Sequence, residues 1–211
     1  METRRAIALV LELGGLALAV ALGGVGGLIA ILAAVSVALW VRGGRWFVAR
    51  DGDGAAGWSA LGGAAVGAAA LAAAWLLSPA VAGLADASVE WTTEPVVRGS
   101  WSLALTVAAV TLALGVAGEL VFRRWLVDRV AGWVQARGAV RTAALVVGVL
   151  AASAIEAAVS ARGGEPVGTF VAGVGMGTLY VGAGGRLAPC LSARLVFDLG
   201  AILLQALRVT P

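Results

Sequence analysis

The chain contains one apolar run of 36 residues, Ala6–Val41, which reads AIALVLELGGLALAVALGGVGGLIAILAAVSVALWV and carries a single charge, Glu12. A membrane-spanning helix needs about 20 apolar residues, so this run is too long for one span and long enough for two. Four glycines lie at its middle, within Gly23–Gly27, where a turn would be needed. The run therefore predicts a tight hairpin of two spanning helices.

Arginines flank this run on both sides, which bears on its orientation. Arg4 and Arg5 precede it, and Arg42, Arg45 and Arg50 follow it. Basic residues concentrate in the cytoplasmic loops of membrane proteins. A hairpin places both sets of arginines on one side of the membrane, whereas a single span would separate them. We therefore expect a multi-pass protein with its N-terminus in the cytoplasm.

The composition as a whole is that of a membrane protein. Apolar residues make up 61% of the chain and charged residues only 13%, against about a quarter in soluble domains. The mean hydropathy is +0.97. All 15 basic residues are arginine, and the bias toward Ala, Gly, Val and Arg indicates a GC-rich bacterial genome. The expected location is the plasma (inner) membrane of a bacterium.

Missing residue types exclude several classes of site. Without histidine the chain cannot form a Ser-His-Asp triad, an H-E-x-x-H zinc site or His-ligated haem. Without lysine it has no Schiff-base residue and no Walker A loop. Its one cysteine, Cys190, excludes disulfides and Cys-rich metal sites. We expect no cofactor and no metal, and because the arginines lie between apolar runs, no nucleic acid partner.

The remaining apolar segments predict further spans. They are Trp58–Leu84, Trp101–Phe122, Thr142–Ser160, Val167–Val181 and Leu187–Leu207. Together with the hairpin they predict an all-α transmembrane bundle of about seven spans. Residues 1–100 would supply the N-terminal helices and an outer loop, and residues 101–211 a membrane core, within one structural domain.

Two further patterns concern how helices pack and where they lie. Gly-x-x-x-Gly pairs allow close approach of helices, and they occur at Gly23/Gly27, Gly63/Gly67 and Gly173/Gly177. The segment Arg123–Arg141 has apolar residues at helical spacing, which predicts an amphipathic helix in the membrane interface. Tryptophans near span ends, Trp40 and Trp125 among them, are expected in an aromatic belt.

Charged residues within spans are costly and mark candidate sites. They are Glu12, Glu119, Glu156, Arg194 and Asp198, with Arg123 at a helix end. The pairs Glu119/Arg123 and Arg194/Asp198 have i,i+4 spacing, which places opposite charges on one helix face. Each pair is either a buried ion pair that fixes packing or part of a functional site.

Glu156 and Glu12 lack such a local partner. Glu156 either reaches toward the outer turn at Arg162 or faces the interior and meets Arg194. Glu12 is interpreted as a lipid-shielded packing contact, with another subunit as its candidate partner.

These charges lie in segments that resemble a known family. The stretch Gly118–Arg123, GELVFR, resembles the E-E-x-x-F-R motif of the CAAX-protease and bacteriocin-processing (CPBP) intramembrane proteases. The run Phe170-x-x-Gly173-x-x-x-Gly177-x-x-Tyr180, followed by Leu187-Ala188-Pro189, resembles the approach to the family's last motif. Arg194-x-x-x-Asp198 stands where that motif has H-x-x-x-N or H-x-x-x-D. The resemblance covers about Trp101–Leu207 and implies a CPBP-like four-helix membrane core.

The resemblance also implies a catalytic set from which this chain departs. In the family the first Glu of the pair and two histidines hold and activate water, and the last motif helps bind the oxyanion. Here Gly118 stands at the first Glu position, Ile155 or Glu156 near the second-motif His, and Arg194 at the last-motif His. Glu119 with Arg123 matches the family's structural ion pair. The family implies an intramembrane endopeptidase, and these departures predict a non-enzymatic homologue with no catalytic residues.

Three functions follow from this comparison of motifs. The favoured one is a non-catalytic subunit or scaffold that binds other transmembrane proteins in a larger complex within the bilayer. The second is an active CAAX-type intramembrane endopeptidase with a substituted site, in which Glu156 and Arg194 rebuild the chemistry. The third is a small-solute transporter, because buried charges also mark ion paths.

Overall fold

The computed structural model of this chain describes residues 2–43, 60–73, 101–133, 139–160 and 166–206. Within these ranges the regular elements are helices, and no strand occurs. Four helices there are long and apolar enough to cross a membrane: Thr3–Leu22, Gly24–Arg42, Trp101–Val130 and Val140–Ser160. Two further apolar helices, Ala60–Ala73 and Pro166–Gly182, are shorter. The predicted all-helical membrane fold is confirmed.

The helices follow one another with short connections where both ends are described. In chain order they are α1 (Glu2–Leu22), α2 (Gly24–Arg42), α3 (Ala60–Ala73), α4 (Trp101–Gly118), a π-helix (Glu119–Val127), α5 (Asp128–Trp133), α6 (Ala139–Ser160), α7 (Pro166–Gly182) and α8 (Ala188–Ala206).

The first two helices form the predicted hairpin. A single residue, Gly23, separates them, and its φ of 65° lies in the left-handed region that favours glycine. Within the pair, Gly15 lies against Ala34 and Gly27 against the carbonyl oxygen of Ala19, so the helices run antiparallel. Both glycines are needed at these contacts, because an added Cβ would collide with the facing helix.

The chain forms two compact units, each assembled from two separate segments. The first comprises Met1–Asp53 and Ala117–Leu187, and the second comprises Gly54–Val116 and Ala188–Pro211. The division of the sequence at residue 100, into N-terminal helices and a membrane core, is drawn from where the family motifs begin. It stays a prediction.

In the first unit, α6 and α7 pack as an antiparallel pair. Gly173 lies against Ser153, and Gly177 lies against Val149, where an added Cβ would come 2.6 Å from Cγ1 of the valine. The predicted close approach at the Gly173/Gly177 pair is confirmed. Tyr180, one turn further along α7, is buried on the same face.

In the second unit, α3 packs along α8. Gly63 lies against the backbone of Pro189, and Gly67 lies against that of Ala193. The two glycines are four residues apart on α3, and the residues that they contact are four residues apart on α8. The Ser192 hydroxyl donates a hydrogen bond to the carbonyl oxygen of Ala60 at 2.7 Å. The predicted close packing at Gly63/Gly67 is therefore also confirmed.

The segment after the fourth span differs from the expected interfacial helix. The helix that begins at Trp101 continues without a break through Val130, and Trp125 and Leu126 are 7% and 5% exposed. These apolar side chains pack inside the protein, so the helical periodicity at residues 123–130 reflects helix packing. The last residues of the expected interfacial helix, from 134 onward, lie outside the described residues up to Ala139.

Candidate functional site

The motif segment lies where an α-helix changes into a π-helix. Gly118 ends α4 with helical φ and ψ of −59° and −48°, and the π-helix covers the next nine residues, Glu119–Val127. A π-helix uses i→i+5 hydrogen bonds, is rare, and usually occurs as a single turn, frequently at functional sites. Nothing in the sequence pattern predicts this change.

The π-helix carries a buried arginine that two carboxylates share. Nε of Arg123 lies 3.5 Å from Oε2 of Glu119, and its Nη1 donates a hydrogen bond to Oε2 of Glu156 at 2.5 Å. The three residues are 0% to 7% exposed. This cluster, called the Arg123 triad below, joins the π-helix to α6.

Glycine packing encloses the α6 side of the triad. An added Cβ on Gly173 would come 3.2 Å from Oε2 of Glu156 and 2.9 Å from Oγ of Ser153. Helix α7 therefore closes over the carboxylate because its residue there has no side chain. Ser153 is itself buried and donates to the carbonyl oxygen of Val149 at 2.8 Å.

Gly118 stands next to this cluster with space around it. The nearest described atom to an added Cβ would be Cδ2 of Phe122, at 4.0 Å. The backbone there is ordinary helix, so glycine is not required by conformation. The backbone at Gly118 therefore does not require glycine.

A third buried carboxylate, Glu12 of α1, links α1 to α2 and to the helix that carries Trp125 and Arg129. Arg42 of α2 lies 2.7 Å from its Oε1 and 2.9 Å from its Oε2, and Arg129 of α5 lies 3.2 Å from Oε2. The indole Nε1 of Trp125 donates to Oε1 at 3.3 Å. Glu12 is 3% exposed. The expected lipid-shielded packing contact is thus a network of ion pairs within the chain.

The same network corrects the position expected for Trp125. Its ring is buried against the protein and its N–H binds a carboxylate, so it does not belong to an aromatic belt. Trp40, by contrast, is 80% exposed, as a belt residue would be. The i,i+4 spacing of Trp125 and Arg129 is the one sequence signal that both residues face the same neighbour.

The second unit holds the other predicted ion pair. Nε of Arg194 lies 3.2 Å from Oδ2 of Asp198 on the same face of α8, as the i,i+4 spacing predicts. Gly115 faces this pair, and an added Cβ would lie 3.3 Å from Nε of Arg194.

The predicted site residues thus fall into two groups. Glu119, Arg123 and Glu156 meet in the first unit, and the first two form the predicted pair. The described ion pair of Glu156 is with Arg123, a partner that neither alternative for Glu156 named. Its position relative to Arg162 lies outside the described residues. Residue spacing along one helix could not identify a partner 33 positions away.

Metal chemistry finds no support in the described part of the chain. Within those ranges no three His, Cys, Asp or Glu side chains are grouped so that they could hold an ion. The Arg123 triad instead arranges a guanidinium between two carboxylates. Such an arrangement links two helices electrostatically.

Comparison with known proteins identifies one family. The family model for type II CAAX prenyl endopeptidase Rce1-like proteins matches residues 100–200. No curated protein and no solved structure matches the chain. The matched segment contains α4, the π-helix, the Arg123 triad and the Arg194/Asp198 pair.

Proposed function

Residues 100–200 of this chain belong to the Rce1-like family of CAAX prenyl endopeptidases, and from this premise we propose that the protein is a non-catalytic member. It keeps the membrane fold of the family and lacks the residues that would activate water. Its role is that of a subunit or scaffold that binds other transmembrane proteins.

The single observation that carries this proposal is the Arg123 triad. Both carboxylates nearest the motif, Glu119 and Glu156, are engaged by the same buried guanidinium. Removing one partner of a buried ion pair costs about 3–5 kcal/mol, so these groups are held in place by strong coupling. A carboxylate in such a cluster is suited to fixing helices rather than to taking a proton from water.

The residue types in the sequence also support a non-catalytic site. The chain has no histidine, and Gly118 and Arg194 stand at two positions where the family has Glu and His. General base catalysis needs a side chain within reach of the attacking water, and oxyanion stabilisation needs fixed donors. Arg194 could donate, but its described partner is Asp198 on the same helix.

The binding role draws on the outer faces of the helices. Among the glycines with no described atom within 4 Å of an added Cβ are Gly14 on α1, Gly62 on α3 and Gly175 on α7. Glycines on the outside of spanning helices let the backbone of another helix approach closely. We take these positions as the contact points for transmembrane partners.

We further propose that the protein lies in a bacterial plasma membrane with its N-terminus in the cytoplasm. Arg4 and Arg5 at the start of α1 and Arg42 at the end of α2 come to the same end of the hairpin. The preference of arginine for the cytoplasmic side favours this orientation.

A cleavage assay tests the catalytic part of the proposal. The protein is reconstituted in lipid vesicles and incubated with a prenylated CAAX peptide and with an unprenylated membrane peptide, each fluorescently labelled. We expect the wild type, Glu156→Gln and Glu119→Gln all to give the rate of empty vesicles. Cleavage by the wild type that the folded Gln variants lose would establish the substituted-site protease instead.

Affinity purification from native membranes after cross-linking tests the binding part. We expect a transmembrane protein to co-purify with the wild type, and to be lost from Gly14→Leu or Gly175→Leu variants that remain folded. Gly177→Leu is not used, because it would disrupt the α6–α7 contact itself. Repeated recovery of a lone monomer would contradict the scaffold role.

A further inference from the structure

Five described arginines of the first unit lie at one end of its helices, and one of them, Arg42, also binds Glu12. At this end lie Arg4, Arg5, Arg42, Arg141 and Arg186. Arg4, Arg5 and Arg141 are exposed, and Arg42 and Arg186 are half-buried. We call these five residues the arginine belt.

Helix contacts fix a reference level near the opposite end. Gly27 of α2 lies against Ala19 of α1 and Val159 of α6, so the three residues share one height in the unit. From that level each helix can be followed toward the arginines at 1.5 Å per residue.

The belt arginines come to similar heights above this level. Arg5 is about 21 Å from it along α1, Arg42 about 22 Å along α2, and Arg141 about 27 Å along α6. Arg186 follows α7, which runs antiparallel to α6 and ends beside the start of α6. The hairpin turn at Gly23 lies about 6 Å beyond this level, so the belt is about 27–33 Å from the turn, which is close to the thickness of about 30 Å of the hydrocarbon core of a bilayer.

We propose that the arginine belt binds the phosphate groups of anionic phospholipids in the adjoining leaflet. Guanidinium groups bind phosphate oxygens through two parallel hydrogen bonds, and every basic residue in this chain is arginine. Basic pockets between spanning helices on the cytoplasmic side are known to bind anionic headgroups. This inference does not depend on the proposed scaffold role.

Among the described residues, Glu2 at the start of α1 is the one acidic residue at the level of the five belt arginines, so the described part of this level carries a net positive charge. Glu12 is buried about 10 Å from the Ala19 level, roughly midway along α1, and it draws the Arg42 side chain toward the interior. Asp128 forms its ion pair with Arg124.

The residues beside the belt favour a lipid over a soluble phosphate. Exposed apolar side chains lie at the level of the belt on the same helices: Ile7 on α1, Trp40 on α2 and Val140 on α6 are 48%, 80% and 57% exposed. The surface at this level therefore presents both guanidinium groups and exposed apolar side chains. A ligand that satisfies both has an anionic head and an apolar chain, which is the structure of a phospholipid.

Lipid retention in nanodiscs tests the proposal. The full chain is reconstituted in phosphatidylcholine containing a minority of phosphatidylglycerol, extracted gently, and examined by native mass spectrometry for the lipids that remain bound. Each arginine near an anionic surface contributes about fivefold to binding. We expect phosphatidylglycerol to be enriched severalfold over its share of the bilayer.

Two matched variants separate phosphate binding from general charge. The triple variant Arg4→Gln/Arg5→Gln/Arg141→Gln, all at exposed sites, should lose the enrichment, while the corresponding triple Lys variant, with the same charge, should keep part of it. Circular dichroism and gel filtration check that both remain folded. Equal enrichment in the wild type and the Gln variant would overturn the proposal, as would no enrichment in the wild type.

A second arm identifies the source of the phosphate. In nanodiscs of phosphatidylcholine alone, added inorganic phosphate should leave the thermal unfolding midpoint unchanged, whereas phosphatidylglycerol should raise it. If inorganic phosphate reproduced the rise, the belt would be a site for a soluble anion and the lipid assignment would be wrong.

Discussion

Arg123 donates a hydrogen bond from Nη1 to Oε2 of Glu156 at 2.5 Å, although the two residues lie 33 positions apart on different helices. This contact makes Arg123, a residue of the family motif, part of a link between the π-helix and α6. In the same side chain, Nε faces Glu119. One buried guanidinium thus fixes the position of the π-helix relative to α6.

Loss of Arg123 should destabilise the protein strongly. Arg123→Met would leave two buried carboxylates beside each other without their cation, at an expected cost of about 3–5 kcal/mol. Arg141→Gln, at an exposed site, should change the unfolding free energy by less than about 0.5 kcal/mol. Unfolding in detergent micelles, followed by circular dichroism, measures both.

A compensated variant checks the reason for that loss. Arg123→Met combined with Glu119→Gln and Glu156→Gln removes the charges together and should recover much of the stability, because no uncompensated carboxylate remains. An Arg123→Met protein as stable as the wild type would contradict a buried ion triad.

The α6–α7 contact should distinguish two glycines of the same helix. Gly177→Ala places a Cβ 2.6 Å from Cγ1 of Val149, which should cost about 1–3 kcal/mol as overpacking. Gly175→Ala has no described atom within 4 Å and should be nearly neutral. The difference in thermal unfolding midpoint between the two variants measures the effect, and equal midpoints would refute this packing.

Trp125 and Trp40 should respond differently to the same change. Trp125→Phe removes the N–H that binds Glu12 at 3.3 Å and should cost about 1–2 kcal/mol. Trp40→Phe, at an 80% exposed position, should leave the unfolding free energy unchanged. Intrinsic fluorescence adds a second readout, since the variant that loses the buried indole should lose the blue-shifted part of the emission.

Cysteine labelling tests the orientation of the hairpin. In a Cys190→Ala background, Thr3→Cys and Leu22→Cys introduce single thiols at exposed positions near the two ends of α1. An impermeant maleimide should label Leu22→Cys in intact spheroplasts and Thr3→Cys only after lysis. The reverse pattern would place the N-terminus outside, against the arginine distribution.

Local features of the fold followed directly from sequence. The length of the Ala6–Val41 run and its central glycines predicted the hairpin, and the turn residue Gly23 has the positive φ that glycine allows. The i,i+4 spacing predicted the Glu119/Arg123 and Arg194/Asp198 pairs, since both partners of each pair lie on one helix. Motif order identified the family, which the family match confirmed.

Other features escaped prediction because they depend on partners distant in sequence. The pattern of Arg123–Trp133 is equally that of an interfacial helix and of a helix buried on one side, and only the neighbours decide between them. Here α1 brings Glu12 to Trp125, so the aromatic side chain is buried rather than lipid-facing.

The sequence by itself determined that this chain is a helical membrane protein, because hydrophobic length, glycine positions and i,i+4 spacing act within single helices, and its motifs carried the resemblance to CAAX proteases. Only the tertiary structure decided which charges meet: Glu156 with Arg123, and Glu12 with Arg42 and Arg129. A buried charge must find a counter-charge, but hydrophobic patterning does not specify which helix supplies it. That choice depends on helix packing, which the close contacts at Gly15, Gly173 and Gly177 fix in the first unit.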